Sequence, residues 1–222
     1  MKKVSLAVLF MATIVFASCS KEDEKSPEII LEKDNVVLTF GDEYLIKATS
    51  DYDLTYKSED ENHAMVDEKG LVKATFVGET NIVVSNTEQS KKVKITVRPE
   101  YDLYDDPSPY LGMTKSQVIS KLGEPTATTE KTIGYSNYSK YADALMLSIQ
   151  DDMVSNIMVT VDISYASKLA KFLGERYYYL GQQNDVYTYV NNIDISKANT
   201  AIVMSVFSKT YFGVMYMKYQ NK

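Results

Sequence analysis

The sequence holds few side chains that could carry catalysis or bind a transition metal. It has one histidine and one cysteine in 222 residues, too few for a disulfide framework or a zinc site built from Cys and His ligands. His63 has two carboxylates close by in the sequence, Asp60 and Glu61, but no second histidine or cysteine completes a site. We therefore expect His63 to be an ordinary surface residue.

Two further groups of carboxylates could do chemistry in principle. Asp102, Asp105 and Asp106 could offer oxygen ligands to calcium, but they lack the glycine and the ligand spacing of a calcium-binding loop. The pair Asp151-Asp152 lies between two apolar runs, where a turn explains it better than an acid and a base. The sequence shows no P-loop, dinucleotide-binding fingerprint or nucleophile elbow. These observations predict a protein that is not an enzyme, with no metal site and no cofactor.

The single cysteine ends an apolar N-terminal segment. Lys2 and Lys3 precede the run Val4–Ala17, which is shorter than the ~20 residues of a membrane-spanning helix and is typical of a signal peptide. The sequence Phe16-Ala17-Ser18-Cys19 resembles the lipobox of bacterial lipoproteins, although Phe16 stands where leucine is usual. This resemblance implies cleavage before Cys19 and its acylation by fatty acids such as palmitate, and an ordinary secretory signal is the alternative. Residues 1–18 are thus predicted to be the signal peptide and 19–27 a lipidated tether that binds the membrane.

The charged stretch Ser20–Lys25 contains no apolar residue and cannot pack into a core. It resembles the export signal of Bacteroides-type lipoproteins, which implies display at the cell surface on the outer membrane. Anchoring in the inner leaflet of the outer membrane is the alternative. The net charge of −6 and the pI near 5.0 argue against a nucleic-acid partner, because binding phosphates needs a basic surface.

Tyrosine is the unusual feature of the composition, since 15 of the 18 tyrosines follow residue 100. Tyr187, Tyr189, Tyr211, Tyr216 and Tyr219 fall in segments predicted to be strands. Strand propensity and packing can account for them, and a tyrosine-rich sheet face that binds a protein or a glycan is the alternative. Alternation along the strands places Tyr187 with Tyr189 on one face, and Tyr211 with Tyr219 on the face opposite Tyr216.

Residues 28–98 have the pattern of an all-β sandwich, with short alternating strands separated by turns. The segments Tyr56–Asp60, Ala64–Ala74 and Val77–Ile82 resemble the bacterial Ig-like domain of group 2 (BIG2), with Tyr56 where tryptophan is common. Gly70 suits a turn position with positive φ. The resemblance implies a spacer or adhesion module without catalytic residues.

Residues 99–110 are rich in proline and aspartate and are predicted to be a linker. In the following segment, Thr114 and Gln117 form a capping box, and Gly123 suits a helix end. The string Leu111–Pro125 resembles the opening helix of small lipoprotein domains related to the β-lactamase-inhibitor-protein fold and to outer-membrane assembly lipoproteins. We predict an α+β domain over residues 111–222, with helices on an antiparallel sheet.

The rest of this predicted domain continues with strands, a helix and more strands. The helix is placed at Tyr165–Leu173 by its apolar spacing. The motif Leu122-Gly123-Glu124 returns as Leu173-Gly174-Glu175, which indicates either two tandem helix-plus-sheet units or a coincidence. Strands are predicted at Ala144–Ile149, Met153–Ile163, Val186–Val190, Ala201–Phe207 and Tyr211–Tyr219.

The sequence therefore predicts a two-domain envelope lipoprotein in which an Ig-like spacer presents a tyrosine-rich binding domain to a protein or a glycan. The alternative is a structural or assembly lipoprotein that contacts other outer-membrane proteins. Both functions would use a sheet surface, so the sequence alone does not separate them.

Overall fold

The computed structural model describes residues 26–220. The predicted signal peptide and the Cys19 anchor lie outside these residues. Among the helices of the described part, none is long and apolar enough to cross a membrane.

The N-terminal part is a β-sandwich of nine short strands. One sheet has the order β2-β9-β8-β5, the other β3-β7-β6, and β1 pairs with β4. Strand β2 runs parallel to β9, and the remaining pairs are antiparallel. The strands are β1 (Ile30–Leu31), β2 (Asn35–Thr39), β3 (Glu43–Leu45), β4 (Ala48–Thr49), β5 (Thr55–Ser58), β6 (Ala64–Val66), β7 (Leu71–Ala74), β8 (Gly78–Ser85) and β9 (Ser90–Arg98).

The sandwich core follows from the alternation of apolar and polar residues along these strands. In β9, for example, Val93, Ile95 and Val97 are buried and the residues between them are more exposed. Gly70 has a φ of 83°, and a Cβ there would lie 2.8 Å from the Tyr56 ring. The turn before β7 therefore needs glycine for its conformation and for space, as the sequence predicts.

The C-terminal part contains two α-helices and one eight-stranded antiparallel sheet. The sheet order is β10-β11-β12-β13-β17-β16-β15-β14. One half of the sheet consists of the four strands that follow α1, and the other half consists of the four strands that follow α2. The two halves meet where β13 pairs with β17. This order favours the tandem arrangement over a coincidence of motifs. The elements are α1 (Lys115–Leu122), β10 (Ala127–Thr128), β11 (Thr132–Ser136), β12 (Ala142–Gln150), β13 (Met153–Asp162), α2 (Ala166–Gly174), β14 (Tyr178–Gln183), β15 (Val186–Val190), β16 (Thr200–Val206) and β17 (Tyr211–Lys218).

Both helices pack on the same face of the sheet, which we call the covered face. Val118 of α1 and Phe172 of α2 belong to one buried cluster with strand residues such as Leu145 and Val214. The start of α1 has the predicted capping box, since Thr114 Oγ1 accepts from the Gln117 amide and Gln117 Oε1 accepts from the Thr114 amide. The sequence prediction of this helix is confirmed.

The segment 99–110 is not a free linker. Leu103 and Tyr104 are buried in the C-terminal core, and the Tyr104 ring lies 4.5 Å from that of Phe172, centroid to centroid. The linker was predicted from the many aspartates and prolines of this segment. Burying the two large side chains of Leu103 and Tyr104 contributes more free energy than solvating the segment would, so the segment packs against the core.

Direct contacts join the two parts of the chain. The side chain of Asn62 accepts from the Ile193 amide (2.9 Å) and donates to the Asn191 carbonyl (3.3 Å). The Val77 amide donates to the Glu175 carbonyl (2.8 Å). The buried Glu175 carboxylate also accepts from the amides of Glu100 and Tyr101, both at 3.1 Å. The sandwich is therefore held against the C-terminal part by the bonds of Asn62 and Val77. The start of the 99–110 segment is bound to the same part through Glu175.

Candidate functional site

The structure does not assemble the predicted tyrosine-rich surface. Tyr216 is fully buried and Tyr189 is 5% exposed, and both lie in the core beneath the helices. The Tyr216 hydroxyl is 3.0 Å from the Tyr104 hydroxyl, and burial raises the pKa of Tyr216 well above its usual value. The assignment of these two residues to a binding surface is wrong, because alternation separates the faces of a strand without showing which face the helices cover.

The other three predicted tyrosines are partly exposed but do not come together. Tyr187 lies on the covered face at the edge of the core, where its register partner is Met204. Tyr211 lies on the opposite face at the end of β17, paired with Asp162. Tyr219 follows the end of β17, and its amide donates to the Asn199 carbonyl (2.8 Å). No single surface contains all three.

The helix-free side of the sheet forms a second surface, which we call the open face. Residues that are directly opposite on neighbouring strands point to the same side of a sheet, so the register places its members in three rows. The central row is Gly134, Met146, Met158, Met215, Val203 and Thr188; the flanking rows are Ser136, Ala144, Thr160, Gly213 and Ser205, and Thr132, Ser148, Asn156, Met217, Ala201 and Val190.

The open face is uncharged and methionine-rich. None of the residues in its three rows is charged, although 24% of the chain is, and the carboxylate of Asp162 marks its rim. Met146, Met158 and Met215 are consecutive in the central row, and Met215 is 37% exposed. Thr160, Ala201 and Val190 of the flanking rows are buried within the chain, so the exposed part of the face is smaller than the three rows. Charged residues are the usual way to keep an exposed sheet face soluble, and their absence from this part points to a contact surface.

The centre of the open face is shaped by a glycine. A Cβ on Gly213 would lie 3.4 Å from the Met158 sulfur and 3.3 Å from the Phe207 Cβ. Gly213 therefore leaves space for these two side chains to pack over the strand. Phe207, on the hairpin between β16 and β17, is 56% exposed. An exposed aromatic ring beside flexible thioethers is typical of protein surfaces that bind partners.

The remaining candidates from the sequence have structural roles. His63 is not an ordinary surface residue: its ring packs on Gly78, and its Nδ1 lies 3.3 Å from the Phe76 carbonyl oxygen. Asp151 and Asp152 have φ values of 52° and 61° in the turn between β12 and β13, as predicted. Among residues 26–220, no group of three or more His, Cys, Asp or Glu side chains is arranged to hold a metal ion.

The comparison with protein families identifies the N-terminal part. Residues 27–97 match the model of the bacterial Ig-like domain (group 2). The prediction of an Ig-like sandwich over residues 28–98 is confirmed, and the match ends before the eight-stranded sheet. No curated protein matches the chain.

Several solved structures resemble the chain weakly. Domains 5-6 of the S-layer protein SbsC are 10% identical, with a TM-score of 0.30 over 88% of this chain and 85% of that chain. An intimin mutant of EHEC O157:H7 is 13% identical, with a TM-score of 0.27 over 76% and 85%. The Bacteroides ovatus SGBP-B of a mixed-linkage glucan utilization locus, in complex with a mixed-linkage heptasaccharide, is 11% identical, with a TM-score of 0.28 over 89% and 63%.

Proposed function

We propose that the protein is a non-catalytic interaction protein of the cell envelope, anchored at the outer membrane through Cys19 and displayed at the cell surface. The Ig-like domain acts as a spacer, and the open face of the eight-stranded sheet binds a protein or a glycan. The observation that carries this proposal is the uncharged, methionine-rich open face. It replaces the tyrosines as the binding surface.

The composition of the open face supports binding rather than packing within the chain. Both helices lie on the covered face, so the row of Met146, Met158 and Met215 gains no burial from them. Apolar side chains left in water forgo about 25 cal/mol for each Å² that a partner could bury. Methionine also adapts its shape to a partner better than branched side chains do.

The junction between the two parts supports a presenting role for the Ig-like domain. A spacer fixes the direction of a binding surface only if its joint is stiff. The bonds of Asn62 to residues 191 and 193, together with the Val77–Glu175 bond, restrict rotation at this joint. The sandwich and the sheet would then move as one body above the membrane.

A structural or assembly role within the envelope is the second candidate. It is favoured by one observation, the helix Lys115–Leu122 followed by four strands, and a second helix followed by four more. The string Leu111–Pro125, which contains the first of these helices, carries the resemblance to assembly lipoproteins. The two functions differ in their partner, which would be a resident outer-membrane protein in this case.

The experiment compares two exposed methionines that lie on different parts of the chain. Met215 on the open face is 37% exposed, and Met65 on the sandwich is 40% exposed. The wild-type chain without its signal segment is tested on a glycan array and in pull-downs from envelope extract. We expect Met215→Glu to abolish the binding found and Met65→Glu to leave it unchanged. Binding that survives Met215→Glu would overturn the open face as the site, and exclusive capture of assembly proteins would favour the second candidate.

A further inference from the structure

We propose that the partner of the open face is a second copy of this chain, packed sheet against sheet about a two-fold axis. This inference rests on the proposed function and names its partner. It makes the protein homophilic, so that two copies bind each other through their open faces.

The charge distribution favours this partner. The chain carries a net charge of −6, so two copies repel each other wherever acidic surfaces meet. The three rows of the open face bring no charge into such a contact. A surface that meets its own copy must be self-complementary, and an uncharged face leaves no like charges to be buried together.

The size of the open face suits a stable dimer. Six strands, β11 to β13 and β15 to β17, span five gaps of about 4.8 Å, and the strands run for roughly 17–30 Å. The resulting footprint of roughly 500 Å² on each copy, or about 1,000 Å² for the pair, reaches the lower limit of a specific interface. Sheets pack about 10 Å apart, a distance that interleaved methionines fill.

The sheet order also places the methionines at the centre. Strands β13 and β17 are the two middle strands, and Met158 is directly opposite Met215 on them. A two-fold axis near this pair would set the methionine row of one copy across that of the other. The charged segment Ser20–Lys25 has no apolar side chain to compete for this surface.

The test uses the chain without its signal segment and with Cys19→Ser, which retains both cores in full. Its mass is measured by sedimentation equilibrium over a wide range of concentration. We expect a monomer–dimer equilibrium for the wild type and for Met65→Glu. Met215→Glu should weaken dimerisation at least ~100-fold, because it buries two carboxylates close to each other. Circular dichroism and the melting temperature confirm that each variant is folded.

A mixing experiment tests the symmetry. Met215→Glu and Met215→Lys should each be monomeric alone, whereas an equimolar mixture should form heterodimers, since residue 215 lies beside its copy across the axis. A wild type that stays monomeric, a dimer that tolerates Met215→Glu, or a mixture that stays monomeric would each overturn the inference. If the wild type is monomeric but Met215→Glu still abolishes glycan or envelope-protein binding, the proposed function stands and only the homophilic partner is refuted.

Discussion

Replacing Asn62 by alanine should weaken the junction between the two parts of the molecule. Asn62 is 8% exposed, and its side chain makes two hydrogen bonds across the junction, at 2.9 Å from the Ile193 amide and 3.3 Å to the Asn191 carbonyl. Each such bond contributes about 1 kcal/mol, and a partly buried amide left unpaired costs a similar amount. We expect Asn62→Ala to weaken the junction by about 2 kcal/mol. The backbone bonds of residue 62 to Thr75 and Phe76 do not depend on its side chain.

Amide hydrogen exchange measures this effect at the junction itself. A loss of about 2 kcal/mol corresponds to roughly 30-fold faster exchange of the Ile193 amide through local opening. The Val77 amide, which donates to the Glu175 carbonyl, should also exchange faster, because the same opening exposes it. The two protons therefore report on one event.

Asn86→Ala is the matched control. The Asn86 side chain donates to the Pro27 carbonyl (2.8 Å) and to Ser50 Oγ (2.9 Å), so all these partners lie within the sandwich. Asn86 Oδ1 also accepts from the amides of Glu88 and Gln89, so this variant should lower the stability of the sandwich by at least as much and leave local exchange at Ile193 unchanged. Exchange at Ile193 that is the same in wild type and Asn62→Ala would refute the role of Asn62 as the joint.

Three other predictions concern individual residues. Thr114→Ala removes the capping box of α1 and should cost about 1 kcal/mol in the free energy of unfolding measured with urea; Thr114→Ser should restore most of it. Burial raises the pKa of Tyr104 and Tyr216 above the unfolded value of 10.0, so both stay neutral in the folded state while the unfolded chain ionises. The stability that they contribute is fully present below pH 10 and should fall as the pH rises further, and a Tyr104→Phe variant should show a shallower fall in melting temperature. Cys19→Ala should abolish labelling by a fatty-acid probe in cells, and labelling that persists would contradict the lipid anchor.

Local features of the fold could be predicted from the sequence because their causes are local. The helix Lys115–Leu122 is specified by Thr114, Gln117 and Gly123 within ten positions. The hairpin at Asp151-Asp152 is specified by two residues that tolerate positive φ. The Ig-like sandwich adds a pattern of turns and strands that is long enough to resemble a known family.

The open face could not be predicted, since its cause is the pairing of distant strands. Met146, Met158 and Met215 become neighbours only through the register of β12, β13 and β17. Alternation in the sequence separates Met215 from Tyr216, but it does not reveal which of the two faces the helices. The linker prediction failed for a related reason, because the polar composition around Leu103 and Tyr104 does not show that a hydrophobic core lies within reach.

The most direct test of the open face as the interaction surface is site-specific photo-crosslinking in intact cells. A photoreactive amino acid is placed at position 215 in one version of the full chain and at position 65 in another, two positions of similar exposure. We predict a covalent adduct from position 215 and none from position 65. An absence of adducts at position 215 in folded, surface-exposed protein, or equal yields at the two positions, would contradict it.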